Sequence, residues 1–181
     1  MEFLSVVGFC GKIGSGKTTA AFYLCDTHYY MRTRFAQPLK NMLRALGCSE
    51  AEIDGDKKQQ PCDLFGGKTP REAMQLLGTE WGRAIYPDIW VHAWYRGLKG
   101  KRIVADDVRF PNEAEVIHEL GGRVIGLRRG TPDKKFDGHA SEAMAFEPDV
   151  WIDNNGTVEE LYEKLEAVLA DHVARLPKEE P

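Results

Sequence analysis

The 181-residue chain lacks the features of several protein classes, and each absence excludes some of the functions that it could have. It has no apolar run as long as a membrane span, and no charged amino-terminal region typical of a secretion signal. It also lacks an excess of basic residues, since its formal net charge is -4, which argues against nucleic acid as the main partner. We therefore expect a chain that works in a cytoplasm, with no membrane partner and no stable nucleic-acid partner.

Cysteine is scarce, and its spacing excludes two further kinds of site. The four cysteines, Cys10, Cys25, Cys48 and Cys62, form no C-x-x-C pair. A zinc site would need such paired spacing, and a small secreted domain would need a disulfide framework. We expect four reduced thiols. Because the net charge is negative, any anionic ligand must be bound by local arginines and lysines.

Short apolar runs alternate with amphipathic segments, which predicts one α/β domain over residues 1–176. Strands are predicted at residues 3–10, 33–36, 102–105, 123–127 and 150–152, and helices at 16–28, 38–46, 69–85, 87–98, 112–120 and 157–176. We expect a central parallel sheet of about five strands with helices on both faces, a three-layer arrangement. Ligands would then lie at the carboxyl ends of the strands.

Three segments interrupt this alternation. Residues 49–68 are polar, rich in charge and glycine, and without a clear period, so we expect a flexible start to a helical insertion over residues 49–98. Residues 130–146 are predicted to form a lid-like loop, in which Ser141 is a candidate helix cap close to His139 and Glu142. Residues 177–181 are predicted to be a disordered tail.

A glycine-rich sequence separates the first predicted strand from the first predicted helix. Residues 11–18 read G-K-I-G-S-G-K-T and have the spacing G-x-x-x-x-G-K-T of a phosphate-binding P-loop. Glycines allow positive φ and bring backbone N–H groups close to phosphate oxygens, and the helix amino terminus adds partial positive charge. The motif predicts a nucleoside triphosphate site, for ATP. The residues expected to bind it are Gly11, Ile13, Gly14, Ser15, Gly16, Lys17, Thr18 and Thr19.

Two residues of this motif have separate chemical roles. Lys17 would reach the β- and γ-phosphates, and the Thr18 hydroxyl would ligate Mg²⁺. Asp106 and Asp107 end an apolar strand, and either acid could complete the metal site, although a strand-end turn or helix cap is equally compatible. We assign the metal to Thr18 and Asp107.

The helix predicted from residue 69 has two different faces. On a helical wheel one face carries Arg71, Gln75, Gly78 and Gly82, with Thr79 at its edge, and the other carries Met74, Leu77, Trp81 and Ala84. The apolar face is expected to be core. The polar face suits a second substrate, with Arg71 on its phosphate and Gln75 on its base, or else a solvated face with close helix packing.

Arginines follow two other predicted strands. Arg109 follows the acidic strand end, and Arg128 and Arg129 end the next strand, so all three lie on the ligand side of the sheet. Phosphoryl transfer spreads negative charge over three oxygens, which arginines stabilise well. We predict that these arginines and Lys17 are catalytic, although each arginine singly is compatible with a plain surface position.

The chain resembles the deoxynucleoside monophosphate kinases of tailed bacteriophages, a branch of the P-loop nucleotide kinases. The resemblance rests on ordered segments that span nearly the whole chain. These are residues 8–18, 35–40 (F-A-Q-P-L-K), 71–83 with its core L-G-T-E, 107–113 (D-V-R-F-P-N-E), 141–142 (S-E) and 152–157 (I-D-N-N-G-T). The P-loop specifies only the superfamily, whereas the L-G-T-E and D-V-R-F-P-N-E segments are much more specific.

This resemblance implies a three-layer P-loop kinase fold and transfer of the γ-phosphate of ATP, with Mg²⁺, to a deoxynucleoside 5′-monophosphate for dNTP synthesis. It also implies a homodimer and, for a viral protein, the host cytoplasm. The acceptor residues that it implies, mostly in the helical insertion, are Lys40, Arg71, Gln75, Thr79, Arg83, Trp90 and Asp107. It implies that the loop of residues 154–157 brackets adenine, with contacts from Asn155, Gly156 and Thr157. Gln37 departs from the pattern, because the family's F-A-x-P-L-K segment is expected to carry an acid there.

Two other functions stay compatible with the sequence. One is a P-loop kinase of another small molecule, such as dephospho-coenzyme A or a nucleoside. The other is a nucleic-acid-associated NTPase, which would need a basic partner surface that the acidic balance does not supply. The sequence offers cations and a metal site rather than an obvious base. That suits a monophosphate acceptor, whose phosphate oxygen is already a nucleophile at neutral pH.

Overall fold

The computed structural model describes residues 6–100, 102–130 and 145–175. The chain divides into two compact units. The sheet unit comprises the described residues of Met1–Arg34 and Lys99–Pro181, and the helical unit comprises Phe35–Leu98. Most of the predicted lid, including His139, Ser141 and Glu142, lies outside the described residues, as does the predicted tail. All four cysteines are unpaired, as expected.

Five parallel strands form the sheet. They are β1 (Val6–Cys10), β2 (Met31–Thr33), β3 (Ile103–Ala105), β4 (Arg123–Arg128) and β5 (Val150–Asp153). Their order is β2-β3-β1-β4-β5, so β1 lies in the centre between β3 and β4. The predicted parallel sheet is confirmed, and the carboxyl ends of all five strands lie along one edge.

Only the second strand is clearly displaced from its prediction. It was expected at residues 33–36, but β2 ends at Thr33, which is paired with Ala105. Phe35 belongs instead to the helical unit, where it is buried and its ring lies 4.4 Å from that of Trp94. The apolar side chain that suggested a strand at residues 33–36 therefore belongs to the core of the helical unit.

The described α-helices are α1 (Lys17–His28), α2 (Gln37–Ala45), α3 (Glu50–Ile53), α4 (Pro70–Gln75), α5 (Arg83–Ile85), α6 (Ile89–Gly97), α7 (Pro111–Glu119) and α8 (Val158–Arg175). Two 3₁₀ turns, Asp56–Gln59 and Asp63–Phe65, and a π-helical segment, Leu76–Gly82, complete the helical unit. None of the helices within the described ranges is long and apolar enough to cross a membrane.

Helices cover both faces of the sheet. Val7 and Phe9 of β1 are fully buried in the cluster formed with α1 and α8. Gly8 points the other way, towards α7, where a Cβ atom would overlap Ile117. Because side chains alternate along a strand, burial on both faces explains why β1 is continuously apolar. The predicted three-layer α/β fold is confirmed.

The helical unit has its own core. Leu39 and Leu43 of α2 pack there with Ile53, Met74 and Trp90. Residues 49–68, which show no clear period in the sequence, contain α3 and both 3₁₀ turns. Helices of three or four residues complete at most about one turn, so they leave no repeating apolar pattern to detect.

Candidate active site

The phosphate-binding loop, residues 11–18, connects β1 to α1. Gly11, Gly14 and Gly16 have φ values of 130°, 79° and 103°, a region that strongly favours glycine. Two of these glycines also lack space for a side chain. A Cβ atom would overlap the Leu127 carbonyl at Gly11 and the Asn154 side-chain amide at Gly16. Both the backbone conformation and the close neighbours therefore require the glycines of the motif.

Lys17 lies across the phosphate-binding loop. Its Nζ donates hydrogen bonds of 2.7 Å to the carbonyls of Gly11 and Lys12, and lies 3.5 Å from the Ser15 hydroxyl oxygen. The ammonium group is thus held by oxygen atoms of the loop itself. Phosphate oxygens would be stronger, charged acceptors for the same donor. This geometry is compatible with the predicted contact between Lys17 and the triphosphate.

Asp106 lies beside Thr18 at the end of β3. The Thr18 hydroxyl donates to Asp106 Oδ2 over 3.0 Å. The same oxygen accepts from Arg32 Nη2 at 2.5 Å and Nε at 3.1 Å, and Oδ1 accepts from Arg34 Nε at 3.2 Å. Asp106 is only 4% exposed. Burial alone would raise the pKa of Asp106, but the two arginines and Thr18 outweigh it and lower the pKa, so the carboxylate is ionised at neutral pH.

The two adjacent acids therefore differ in their surroundings. Asp106 makes the contact with Thr18, whereas Asp107 is half-buried at the next position. The metal and substrate roles predicted for Asp107 stay predictions. Arg32 and Arg34 were not predicted from the sequence. Their spacing of two residues, typical of one face of a strand, was the available signal, but the strand was expected two residues later.

The loop after β5 lies against the phosphate-binding loop. Asn154 Nδ2 donates to the Ser15 carbonyl over 2.9 Å. Asn155 Oδ1 accepts the Gly130 N–H at 2.7 Å, and Thr157 Oγ1 accepts a backbone N–H in the first turn of α8 at 3.3 Å. The loop that contains the predicted adenine contacts, including Gly156, is thus anchored to the phosphate-binding loop, to the end of β4 and to α8.

The three predicted catalytic arginines lie at or beyond the ends of two strands, and their side chains are exposed: Arg109 lies beyond β3, Arg128 is the last residue of β4, and Arg129 follows it. Arg128 forms an ion pair with Asp153, and because both side chains are 58% exposed, water weakens the attraction between them. The backbone N–H of Arg109 donates to Glu113 Oε2 over 2.8 Å, so a buried acid fixes this position at the start of α7. A catalytic role for Arg109, Arg128 and Arg129 stays a prediction.

The predicted start of α4 is confirmed. The Thr69 hydroxyl accepts the Glu72 N–H at 3.1 Å, and the Glu72 carboxylate accepts the Thr69 N–H at 2.8 Å, which is a capping box. Arg71 and Gln75 follow on α4, four residues apart and both half-buried. They therefore share one face of α4, as the helical wheel predicts.

Beyond α4 the helical wheel fails, because residues 76–82 form a π helix. A π turn adds one residue relative to an α-helix, so later side chains are rotated by about 100° from their wheel positions. Trp81 and Ala84, predicted to be core, are exposed, with Trp81 at 46%. Gly82, predicted on the polar face, is buried instead. The prediction for these three positions was wrong for this reason.

Trp90 contacts both glycines of the predicted polar face. Its Nε1 donates to the Gly78 carbonyl over 2.7 Å, and a Cβ atom at Gly82 would lie 2.8 Å from ring atom Cε2. The indole is buried, so its observed partners are the helix backbone and the core of the helical unit. Gly82 thus makes room for the Trp90 ring, whereas a Cβ atom at Gly78 would approach only Leu39, at 3.3 Å. The substrate contact predicted for Trp90 stays a prediction.

Two further predicted acceptor residues have protein partners. Lys40 is buried, and its Nζ donates to Asp54 Oδ1 over 2.6 Å. Arg83 Nη1 donates to the Pro87 carbonyl over 2.9 Å. Thr79 is half-buried in the π segment. The structure thus brings Lys40 and Arg83 into contacts that stabilise the helical unit, and leaves their substrate roles untested.

The chain is similar in sequence to two viral kinases. No family model matches the chain. A protein of Acanthamoeba polyphaga mimivirus, named as a deoxynucleotide monophosphate kinase, is 36% identical over 181 aligned positions that cover 88% of this chain and 93% of that protein. The deoxynucleotide monophosphate kinase of Escherichia phage RB69 is 34% identical over 109 positions, which cover 55% of this chain and 44% of that protein.

Among solved structures, a shikimate kinase from Aquifex aeolicus superimposes with a TM-score of 0.55. The match covers 93% of this chain and 98% of that chain, at 9% sequence identity. At so low an identity the likeness concerns the fold alone. It agrees with the five-stranded parallel sheet of the three-layer α/β fold.

Proposed function

This chain belongs to the deoxynucleotide monophosphate kinase family and is a nucleotide kinase, and from that premise we propose that it transfers the γ-phosphate of ATP to a deoxynucleoside 5′-monophosphate. The products would be ADP and the deoxynucleoside diphosphate. The observation that carries the proposal is the loop of residues 11–18, where Lys17 lies across a glycine-rich turn and Thr18 contacts an ionised Asp106. These groups have the chemistry of a triphosphate donor site.

For the donor, we assign the phosphates to the phosphate-binding loop and the adenine to residues 155–157. Positive φ at the three loop glycines exposes backbone N–H groups to an anion, and α1 begins at the end of the loop. The loop after β5 is anchored by Asn155 and by the start of α8. These contacts support a donor site built wholly from the sheet unit.

The residues near the loop fit a magnesium ion, and we propose Asp106 as its acid in place of Asp107, the acid predicted from the sequence. The Thr18 hydroxyl and the Asp106 carboxylate are hard oxygen ligands only 3.0 Å apart, and the carboxylate is held ionised. No cluster of three or more acids, histidines or cysteines among the described residues could bind a metal by itself. Oxygens of the triphosphate would therefore complete the coordination. When bound, Mg²⁺ would neutralise charge on the transferred phosphoryl group.

For the acceptor, we assign Arg71 to the monophosphate and Gln75 to the base, since they share one face of α4. Arginine binds phosphate through paired donors, and glutamine offers both a donor and an acceptor to a base. We assign Arg109, Arg128 and Arg129 to the charge that develops during transfer. The remaining proposed acceptor residues are Lys40, Thr79, Arg83, Trp90 and Asp107.

We also propose a homodimer that acts in the cytoplasm, the host cytoplasm if the chain is viral. The viral origin of the two relatives supports the host cytoplasm as the location. Light scattering after size exclusion would measure the mass of the native chain. A mass near twice 20.4 kDa is expected, and a mass near 20.4 kDa would remove the homodimer from the proposal.

Coupled measurement of ADP release tests the activity. The native chain would be mixed with ATP, Mg²⁺ and each deoxy- or ribonucleoside monophosphate in turn, with dephospho-coenzyme A, nucleosides and DNA as alternatives. We expect stimulation by one or more deoxynucleoside monophosphates. Stimulation by DNA alone would overturn the proposal in favour of a nucleic-acid-associated NTPase. Stimulation by dephospho-coenzyme A or a nucleoside alone would show that this molecule, and not a nucleoside monophosphate, is the phosphate acceptor.

A further inference from the structure

One side chain joins the phosphate-binding loop to the loop that follows β5. Asn154 is only 5% exposed, and its backbone N–H donates to the Arg128 carbonyl over 2.8 Å. Its side-chain Nδ2 donates to the carbonyl of Ser15, a residue that is 2% exposed. Asn154 is thus fixed through its main chain to β4 and through its side chain to the phosphate-binding loop. The contact between them is shielded from water, so it is not screened by solvent.

This hydrogen bond sets the direction of one peptide group. The described chain contains no cis peptide bond, so the carbonyl of Ser15 and the N–H of Gly16 point in opposite directions. Because the carbonyl is directed at Asn154, the Gly16 N–H is directed to the opposite side of the loop. Backbone N–H groups of a P-loop bind phosphate oxygens.

The conformation of Gly16 explains why an outside partner is needed. Its φ of 103° lies in a region that glycine enters and leaves freely, so the preceding peptide group can rotate without the steric barrier that a side chain would impose. Lys17 donates to the carbonyls of Gly11 and Lys12, whereas the Ser15 carbonyl accepts from Asn154. Asn154 also lies so close to Gly16 that no Cβ atom would fit.

We propose that Asn154 is a positioning residue for the donor phosphates, because it holds the Ser15–Gly16 peptide group with the Gly16 N–H directed at the phosphate. Through its place in the loop after β5, it also ties the predicted adenine contacts to the phosphate contacts. The proposal rests on the proposed donor site. It adds Asn154 to that site and gives the orientation of the Ser15–Gly16 peptide group.

Binding of a base-free ligand to the full chain tests the proposal. Asn154→Leu keeps the shape of the side chain but removes the donor, and tripolyphosphate contains the phosphate chain of ATP without adenosine. We expect tripolyphosphate and ATP to bind about tenfold more weakly, the factor that corresponds to one lost hydrogen bond. The KM for ATP should rise by the same factor, while the KM for the monophosphate stays within about twofold. Asn41→Leu, at an exposed asparagine of α2, is the matched control.

The possible results distinguish a failure of the role proposed for Asn154 from a failure of the proposed donor site. Unchanged tripolyphosphate binding by Asn154→Leu would overturn the role of Asn154, and so would an equal rise in both KM values. If the native chain bound neither ATP nor tripolyphosphate, the donor site itself would fail.

A second measurement needs no variant, in case Asn154→Leu does not fold. In the ¹⁵N-labelled native chain, the Gly16 amide resonance should be among those that shift most on addition of tripolyphosphate. A resonance that stays in place while other loop amides shift would also overturn the proposal.

Discussion

The hydroxyl of Thr18 donates a 3.0 Å hydrogen bond to the carboxylate of Asp106, although 88 residues separate them in the sequence. The bond joins the first turn of α1 to the end of β3. Arg32 and Arg34 bind the same carboxylate, so two cations surround one buried anion. The groups proposed to ligate Mg²⁺ are therefore already adjacent and correctly charged before any ligand binds, which reduces the reorganisation that binding requires.

Asp106→Asn and Asp107→Asn distinguish the two candidate metal acids. Asp106→Asn should raise the Mg²⁺ concentration needed for half-maximal activity, whereas Asp107→Asn should change it little. The first variant should also unfold more easily, by about 3 kcal/mol, because two arginines lose a buried counter-ion. A Mg²⁺ titration of activity and a urea titration of the fold measure the two effects. The reverse order of Mg²⁺ dependence would assign the metal to Asp107.

The lowered pKa of Asp106 predicts how stability depends on pH. A carboxyl group whose pKa is lowered by folding stabilises the fold above its unfolded pKa, here about 3.8, and loses that contribution as pH falls through the folded value. The native chain should therefore lose more unfolding free energy than Asp106→Asn as pH falls below about 4. Urea unfolding at pH 5 and pH 3 is the measurement, and equal losses for both chains would contradict the prediction.

Lys17→Ala should abolish phosphoryl transfer without unfolding the chain. The hydrogen bonds of Lys17 place its charge across the glycine turn, so its loss removes a positive charge that faces the phosphates. Activity should fall at least about a hundredfold, while circular dichroism keeps its native shape. Lys57→Ala, at an exposed lysine of the helical unit, is the control for removal of one positive charge. Comparable losses in both variants would remove Lys17 from its assigned role.

The sequence predicted those parts of the fold that depend on local pattern. Strands, the capped start of α4 and the glycines of the phosphate-binding loop each follow from residues close together in the chain. The contacts of Asp106 with Arg32 and of Asn154 with Ser15 depend instead on the order β2-β3-β1-β4-β5, which no local pattern specifies. A shift of two residues in the predicted β2 was enough to hide the role of Arg32.

Arg71→Ala tests the acceptor site. If Arg71 binds the monophosphate, the KM for that substrate should rise about a hundredfold, as expected for loss of a charge-assisted pair of hydrogen bonds, and the KM for ATP should change little. Gln75→Ala should alter the order of preference among bases more than it alters affinity for all of them. Arg96→Ala, at an exposed arginine of α6, is the matched control. Equal rises in both KM values would show that Arg71 does not select the acceptor.

The π turn predicts which tryptophan of the helical unit carries stability. Trp81→Ala should cost little because that side chain is half-exposed, whereas Trp90→Ala should cost about 3 kcal/mol or more because the buried ring and its hydrogen bond to Gly78 are lost.

Gly82→Ala should also destabilise the helical unit, by about 1–3 kcal/mol, since its new methyl group meets the Trp90 ring. In Gly82→Ala combined with Trp90→Leu the two costs should not add, because the smaller side chain removes the overlap. Urea unfolding of the native chain, Gly82→Ala, Trp90→Leu and the double variant measures this coupling, and Trp81→Ala and Trp90→Ala are unfolded in the same way. Strict additivity, or a larger loss for Trp81→Ala than for Trp90→Ala, would contradict the packing described for this helix.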